Sequence, residues 1–174
     1  VDDSMASRLI RALHAPWSPR RAAPTILPAS ARLQADGDAC DPGPAPSACL
    51  FIPDPIYANG GDAPDVAEAN STLEGRPLED LVDESGELVG DHVDTVSLDT
   101  GDYPVETDGT WAAGRARPGL EHAMAYYWID TAHRDLDRLG FGDVWDEPIP
   151  VEAVDADTVD NAFWDGTAVH MGVG

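Results

Sequence analysis

Between Leu120 and Leu139 the chain runs for twenty residues without a proline or a glycine, although the sequence holds 15 of one and 16 of the other. That stretch most limits what the chain can become. Pro118-Gly119-Leu120-Glu121 opens it, with proline near a first turn where a missing N–H costs nothing. Gly140 supplies the stop. The spacing predicts a helix over about 119–139. Met124, Tyr127, Trp128, Thr131, Leu136 and Leu139 are its expected buried face. His122, Tyr126, Ile129 and His133 share a neighbouring face, and Arg134 and Arg138 suit the negative end of the helix dipole.

Around the helix the sequence reads as short strands and turns. His92-Val93-Asp94-Thr95-Val96-Ser97-Leu98 alternates apolar and polar residues, the strongest strand pattern present. Residues 149–154 read as another strand. Residues 159–171 read as a hairpin turning at Asp165-Gly166, a dipeptide suited to tight two-residue turns. Phe163 and Trp164 read plainly as part of a core-facing hairpin, and period-two alternation also allows Phe163 inward with Trp164 on the opposite face. Two prolines make 50–57 an irregular or edge strand. Residues 58–72 and 99–117 read as loops, and 1–15 as a short helix ahead of a Pro-rich arm.

Charge narrows the functional classes. The net charge is -23, every basic residue is Arg, and the signs are unevenly placed. Residues 1–35 carry Arg8, Arg11, Arg20, Arg21 and Arg32 against Asp2 and Asp3, whereas residues 36–174 carry five Arg against 31 acids. That acidic body repels nucleic acid, whose binding requires cationic neutralisation of phosphates. No run approaches the length of a membrane span, and no apolar leader stands at the start.

Cys40 and Cys49 flank a loop with three prolines and a glycine. Two cysteines closing such a loop read as a disulfide, hence an oxidising, secreted setting. A zinc pair fits less well, for want of closer spacing and a second ligand pair; two free buried thiols are the plain alternative. Asn70-Ser71-Thr72 matches the glycosylation acceptor pattern.

Catalytic signatures are missing. There is no nucleophile elbow, phosphate-cradling loop or His-Glu-x-x-His. His122 and His133 lie eleven residues apart, roughly 16 Å along a helix, and cannot share an ion; His133 reads as a core or capping residue. Calcium is a candidate cation for Asp143, Asp146 and Glu147, or for Asp155, Asp157 and Asp160, although neither set matches an EF-hand loop.

The run His122–Phe141, followed by a strand and then Asp160–Gly174, resembles the start of the catalytic domain of thermolysin-like and fungalysin-like zinc metallopeptidases. The matching patterns are an aromatic helix of type AYY-x₃-AH-x₃-LGF and an edge strand of type NAF[WY]-x-G. Leu50–Asp62 and Gly86–Val96 resemble the preceding region more loosely. The resemblance implies an α+β fold: the β-rich N-terminal subdomain of a zincin-type metallopeptidase, with one long aromatic helix and a cleft edge hairpin. It implies a division into a basic arm with its disulfide loop (1–49) and this subdomain (50–174). In that family the peptide substrate adds to the edge strand as an extra strand. Carried over, Asn161 and Ala162 would bind substrate main chain and Trp164 would border the cleft. The family's zinc ligands come later than Gly174, so zinc is expected on a C-terminal catalytic chain acting as partner. Three readings follow: the non-catalytic N-terminal portion of a secreted zinc metallopeptidase, a peptide- or protein-binding module of the same fold, or a structural acidic domain.

Overall fold

Ser47–Leu50 forms β1, a strand buried at every position. In a computed structural model, residues 40–62, 64–82, 85–96, 98, 104–114, 119–142, 145–159 and 161–173 are described. The expectations for the arm, Arg8 to Arg32 included, and for residues 1–15 lie outside them. Cys40 is bonded to Cys49, with Cα atoms 5.9 Å apart. Cys49 sits within β1, so the strand crosses the 49/50 boundary.

After β1 come two short helices, α1 (Pro55–Ala58) and α2 (Val66–Asn70), and then β2 (Glu74–Pro77). The short strands β3 (Val93–Asp94) and β4 (Thr110–Trp111) follow. The long helix α3 spans Leu120–Arg138, and β5 (Ile149–Val159), β6 (Ala162–Trp164) and β7 (Val169–Val173) close the chain. One sheet has the order β2-β1-β4 and the other β3-β5-β7-β6. The pairs β3·β5 and β5·β7 are parallel, whereas β6 runs antiparallel to β7. The fold is therefore α+β, with two small sheets and one long helix that meets β1 of the first sheet and β3 and β5 of the second.

The helix ends as its sequence requires. Gly140 takes a φ of 85°, the left-handed conformation that glycine adopts without strain. Its buried face differs from the expected one. Leu136 and Leu139 are 44% and 71% exposed, while Leu120, His122, Ala123, Ala125, Tyr126 and Asp130 are buried. The reason is polar: Tyr126 donates its hydroxyl hydrogen to the Glu79 carbonyl at 2.7 Å, and Asp130 has ionic partners, so this face satisfies its polar groups while it is buried. Around Tyr126 gather Ala48, Leu50, Leu78, Leu88, Val93, Trp111, Val151 and Ala153.

Other expectations are corrected by the same packing. The strand read at 92–98 is paired as β3 over Val93–Asp94 alone. The loop read at 58–72 contains α2, which Asp65 and Glu68 open with a reciprocal capping box. The loop read at 99–117 contains β4, whose Trp111 is in the core. The stretch 50–57 becomes the end of β1 followed by α1, capped by the Asp54 carboxylate.

Candidate functional site

Two features carry organised chemistry: the exposed edge strand β6 and a largely buried polar cluster at the C-terminal half of α3.

The hairpin at 162–173 turns where the Asp-Gly dipeptide sits. Asp165 Oδ1 accepts from the N–H groups of Thr167 and Ala168 and from the Thr167 hydroxyl, at 2.7–2.9 Å. These bonds hold the Asp165 carboxyl well below the usual carboxylate range. β6 is the last strand of its sheet, so β7 covers one of its edges and the other has no strand partner among the described residues.

Register decides which backbone groups remain. Gly172 donates to the Asn161 carbonyl at 2.8 Å, and Asp165 donates to the Ala168 carbonyl at 3.2 Å. Alternate residues of an antiparallel strand point their amide groups to opposite sides. Asn161, Phe163 and Asp165 therefore turn toward β7, and Ala162 and Trp164 turn their N–H and C=O to the open edge. The main chain of Asn161 is engaged in the hairpin, and its contribution to the edge is its exposed side chain.

The facing of the aromatics reverses the expectation. Trp164 pairs with Val169, on the sheet face whose Val151, Val169 and Met171 pack on the core. Phe163 pairs with His170 on the opposite face and stacks on its ring at 4.8 Å. Both aromatics are more than 40% exposed. Trp164 meets Trp145 edge to face, with ring centroids 5.4 Å apart.

His170 is the polar centre of that outer face. Its Nδ1 lies 2.8 Å from Glu152, and its Nε2 lies 3.3 Å from Asp165. Desolvation works against the charged ring, but the bonds to Glu152 and Asp165 outweigh it and raise the His170 pKa. Asp155 belongs to this group, with an oxygen 3.7 Å from His170. Asp157 joins it only by donating its N–H to Asp155 at 2.9 Å. Asp160 and Asp143 lie outside the described residues, and Asp146 and Glu147 are exposed.

The second cluster was not legible as a site. A turn with bridges Leu81↔Gly90 and Val89↔Asp94 brings Glu79, Asp80 and His92 against α3. His92 Nδ1 lies 2.8 Å from Asp130 Oδ1, and Arg134 Nε lies 3.0 Å from Asp130 Oδ2. Arg134 also reaches Glu79 and, at 3.7 Å, Asp80. Burial raises the Asp130 pKa, while His92 and Arg134 oppose that rise. His133 stacks on His92 at a centroid separation of 4.0 Å, and its Nε2 is 3.0 Å from the Trp145 carbonyl oxygen. His133 is thus nearly buried, as expected, but beside a second histidine instead of among apolar groups. Only the turn that delivers His92 could have revealed this, and the sequence marks that turn weakly.

No helix among the described residues is long and apolar enough to cross a membrane. Comparison with protein-family models, curated proteins and solved structures gives no match to the chain.

Proposed function

We propose that this chain forms one wall of the peptide cleft of a secreted zinc metallopeptidase, as a non-catalytic N-terminal portion that acts with a zinc-bearing C-terminal part. The observation that carries the reading is the free edge of β6, where Ala162 and Trp164 direct backbone N–H and C=O outward. An extended peptide adds to such an edge as another antiparallel strand; main-chain bonds supply affinity, and alternate side chains supply selectivity. Asn161 offers its amide side chain beside that edge, and Trp164 with Trp145 offers an aromatic border.

The succession of aromatic helix, parallel strand and antiparallel edge hairpin follows the order expected from the metallopeptidase resemblance. The Cys40–Cys49 bond fits an extracellular setting, where disulfides persist. Catalysis of this type requires a metal-activated water. This sequence has no His-Glu-x-x-His, so no catalytic step is assigned to its residues. The same free edge favours one alternative, a peptide-binding module that works without a catalytic partner.

Amide hydrogen exchange of the chain with and without an extended peptide tests the reading. Slowed exchange at Ala162 and Trp164, with Phe163 unchanged, is expected. No change anywhere in 161–164 overturns the edge assignment. Native mass spectrometry separates the two versions: a second chain bearing His-Glu-x-x-His and zinc identifies the peptidase, and peptide binding by the lone chain identifies the module.

A further inference from the structure

Across the outer face of the hairpin sheet, neighbouring strands set their side chains in one row: Glu152 on β5, His170 on β7 and Phe163 on β6. His170 touches both neighbours. Its Nδ1 lies 2.8 Å from Glu152, and its ring stacks on Phe163 with the planes 10° apart. One face of the Phe163 ring is therefore covered from the β7 side. The other face turns to the open edge, where the side chain is 41% exposed. Asp165, two residues on, stands on the same side of the sheet, since its Oδ2 lies 3.3 Å from His170 Nε2.

Charge on this face is unbalanced. Glu152, Asp155 and Asp165 surround His170, the basic group between them. The turn bonds hold the Asp165 carboxyl well below the usual carboxylate range, so it stays ionised. The chain has no lysine. Among the described residues the arginines are engaged elsewhere: Arg76 with Glu74, Arg134 with Glu79, Asp80 and Asp130, and Arg138 with Asp135. An open ring face beside an excess of carboxylates attracts a cation. A guanidinium suits it best, because its plane stacks on an aromatic ring while its N–H groups bond a carboxylate.

Register says where that cation sits. Ala162 and Trp164 turn their N–H and C=O outward. A docked antiparallel strand then places one residue opposite Phe163 in a non-hydrogen-bonded pair, the arrangement in which side chains approach most closely. That side chain lies on the outer face, with Phe163 directly across and Asp165 diagonal to it, within reach of a long side chain. The peptide residue just before it falls opposite Trp164. Its side chain points to the inner face, against the Trp164–Trp145 pair.

We propose that the β6 edge selects extended peptides in which an apolar residue is followed by arginine, with the arginine seated over Phe163 and paired with Asp165. This selectivity rests on the strand-addition reading of the same edge.

The test titrates the whole chain calorimetrically with end-capped peptides of threonine and valine that carry leucine-arginine at the centre. The comparison peptides replace the arginine by citrulline, its uncharged isostere, or by glutamate. Amide exchange is read beside each titration. The arginine peptide should slow exchange at Ala162 and Trp164 and bind about tenfold more tightly than the citrulline peptide, and the glutamate peptide should bind most weakly. Serine in place of the leucine should weaken binding about fivefold or more. The preference for arginine should shrink between about 0.1 and 1 M salt, as the screening length falls from about 10 to about 3 Å. Asp165→Asn keeps an oxygen for the turn and should cut the preference to about twofold, and Phe163→Leu should cut it to about threefold. Glu74→Gln removes one charge from the other sheet and should leave it unchanged. Equal affinity for the arginine and citrulline peptides, with exchange slowed at Ala162 and Trp164, overturns the selectivity and leaves strand addition standing. Exchange slowed by none of the peptides overturns both. A full preference retained by Asp165→Asn and by Phe163→Leu assigns it to net charge and overturns the seat over Phe163. The peptide series reads the selectivity on the parent chain, so it decides even if a variant fails to fold.

Discussion

His92 Nδ1 stands 2.8 Å from Asp130 Oδ1 although 38 residues separate them. The carboxylate is 2% exposed and also faces Arg134. Removing Asp130 takes the near acceptor from His92, whereas Arg134 keeps Glu79 and Asp80. Asp130→Ala should therefore cost about 1–2 kcal/mol, less than a fully unpaired buried charge, and Asp130→Asn, which keeps an acceptor for His92, less again. Urea denaturation followed by tryptophan fluorescence checks this. A loss under about 0.5 kcal/mol, the range of exposed pairs, means that water screens the cluster.

The hairpin should carry a pH dependence that centres on His170. Its two partners hold the proton on His170 more tightly in the folded chain than in the unfolded one. The folded state then binds more protons between the two pKa values, so stability falls as pH rises. That contribution is complete below the unfolded value of about 6.5 and disappears as pH passes the raised folded value. Thermal unfolding between about pH 5 and 9 should show a descending limb that His170→Gln flattens. An unchanged limb in that variant assigns the slope to other groups.

Close approach governs a third position. A Cβ at Gly90 would collide with the Tyr126 hydroxyl and come within 2.7 Å of the Asp80 carbonyl. Neither neighbour can yield easily, because Tyr126 is fully buried and its hydroxyl is bonded to Glu79. Gly90→Ala should cost about 1–3 kcal/mol, as overpacking of a filled core does. Tyr126→Phe keeps the ring and should cost about 1 kcal/mol for the lost hydrogen bond. In the double variant the two costs should sum to less than their separate values, since removing the hydroxyl opens the space that the new methyl needs.

How much of this was legible in the sequence follows the range of the contacts. The helix at 120–138 and the turn at Asp165-Gly166 are set by residues within one or two turns of each other, and both stand where the sequence put them. The Cys40–Cys49 pair is also local. The buried face of α3 departs from its apolar pattern because its polar residues find partners far away along the chain. Tyr126 meets residue 79 and Asp130 meets residue 92, whereas Leu136 and Leu139 stay exposed among the described residues. α2 was a different omission, since Asp65 and Glu68 had the spacing of a capping box in plain view. The strands β3 and β4 are two residues long, too short for any periodicity to mark. The pairing of His92 with His133 lay beyond sequence reasoning, because it depends on how the 80–91 turn docks.

The edge strand allows two neighbouring proline substitutions to be set against each other. Ala162 turns its N–H to the open side of β6, so Ala162→Pro removes a donor that the sheet does not use. Phe163 lies one residue on and turns toward His170, so Phe163→Pro removes a ladder hydrogen bond. If peptides dock by strand addition, Ala162→Pro should weaken binding by about tenfold, the value of one net hydrogen bond, with a small effect on melting. Phe163→Pro should lower the melting temperature clearly and weaken binding only as far as the hairpin is lost. Calorimetric titration with an extended peptide, beside thermal unfolding of each variant, reads both quantities. Equal effects of the two prolines on affinity at matched stability would mean that peptides reach the Trp164–Trp145 border through side chains, and that the backbone edge of β6 is not what holds them.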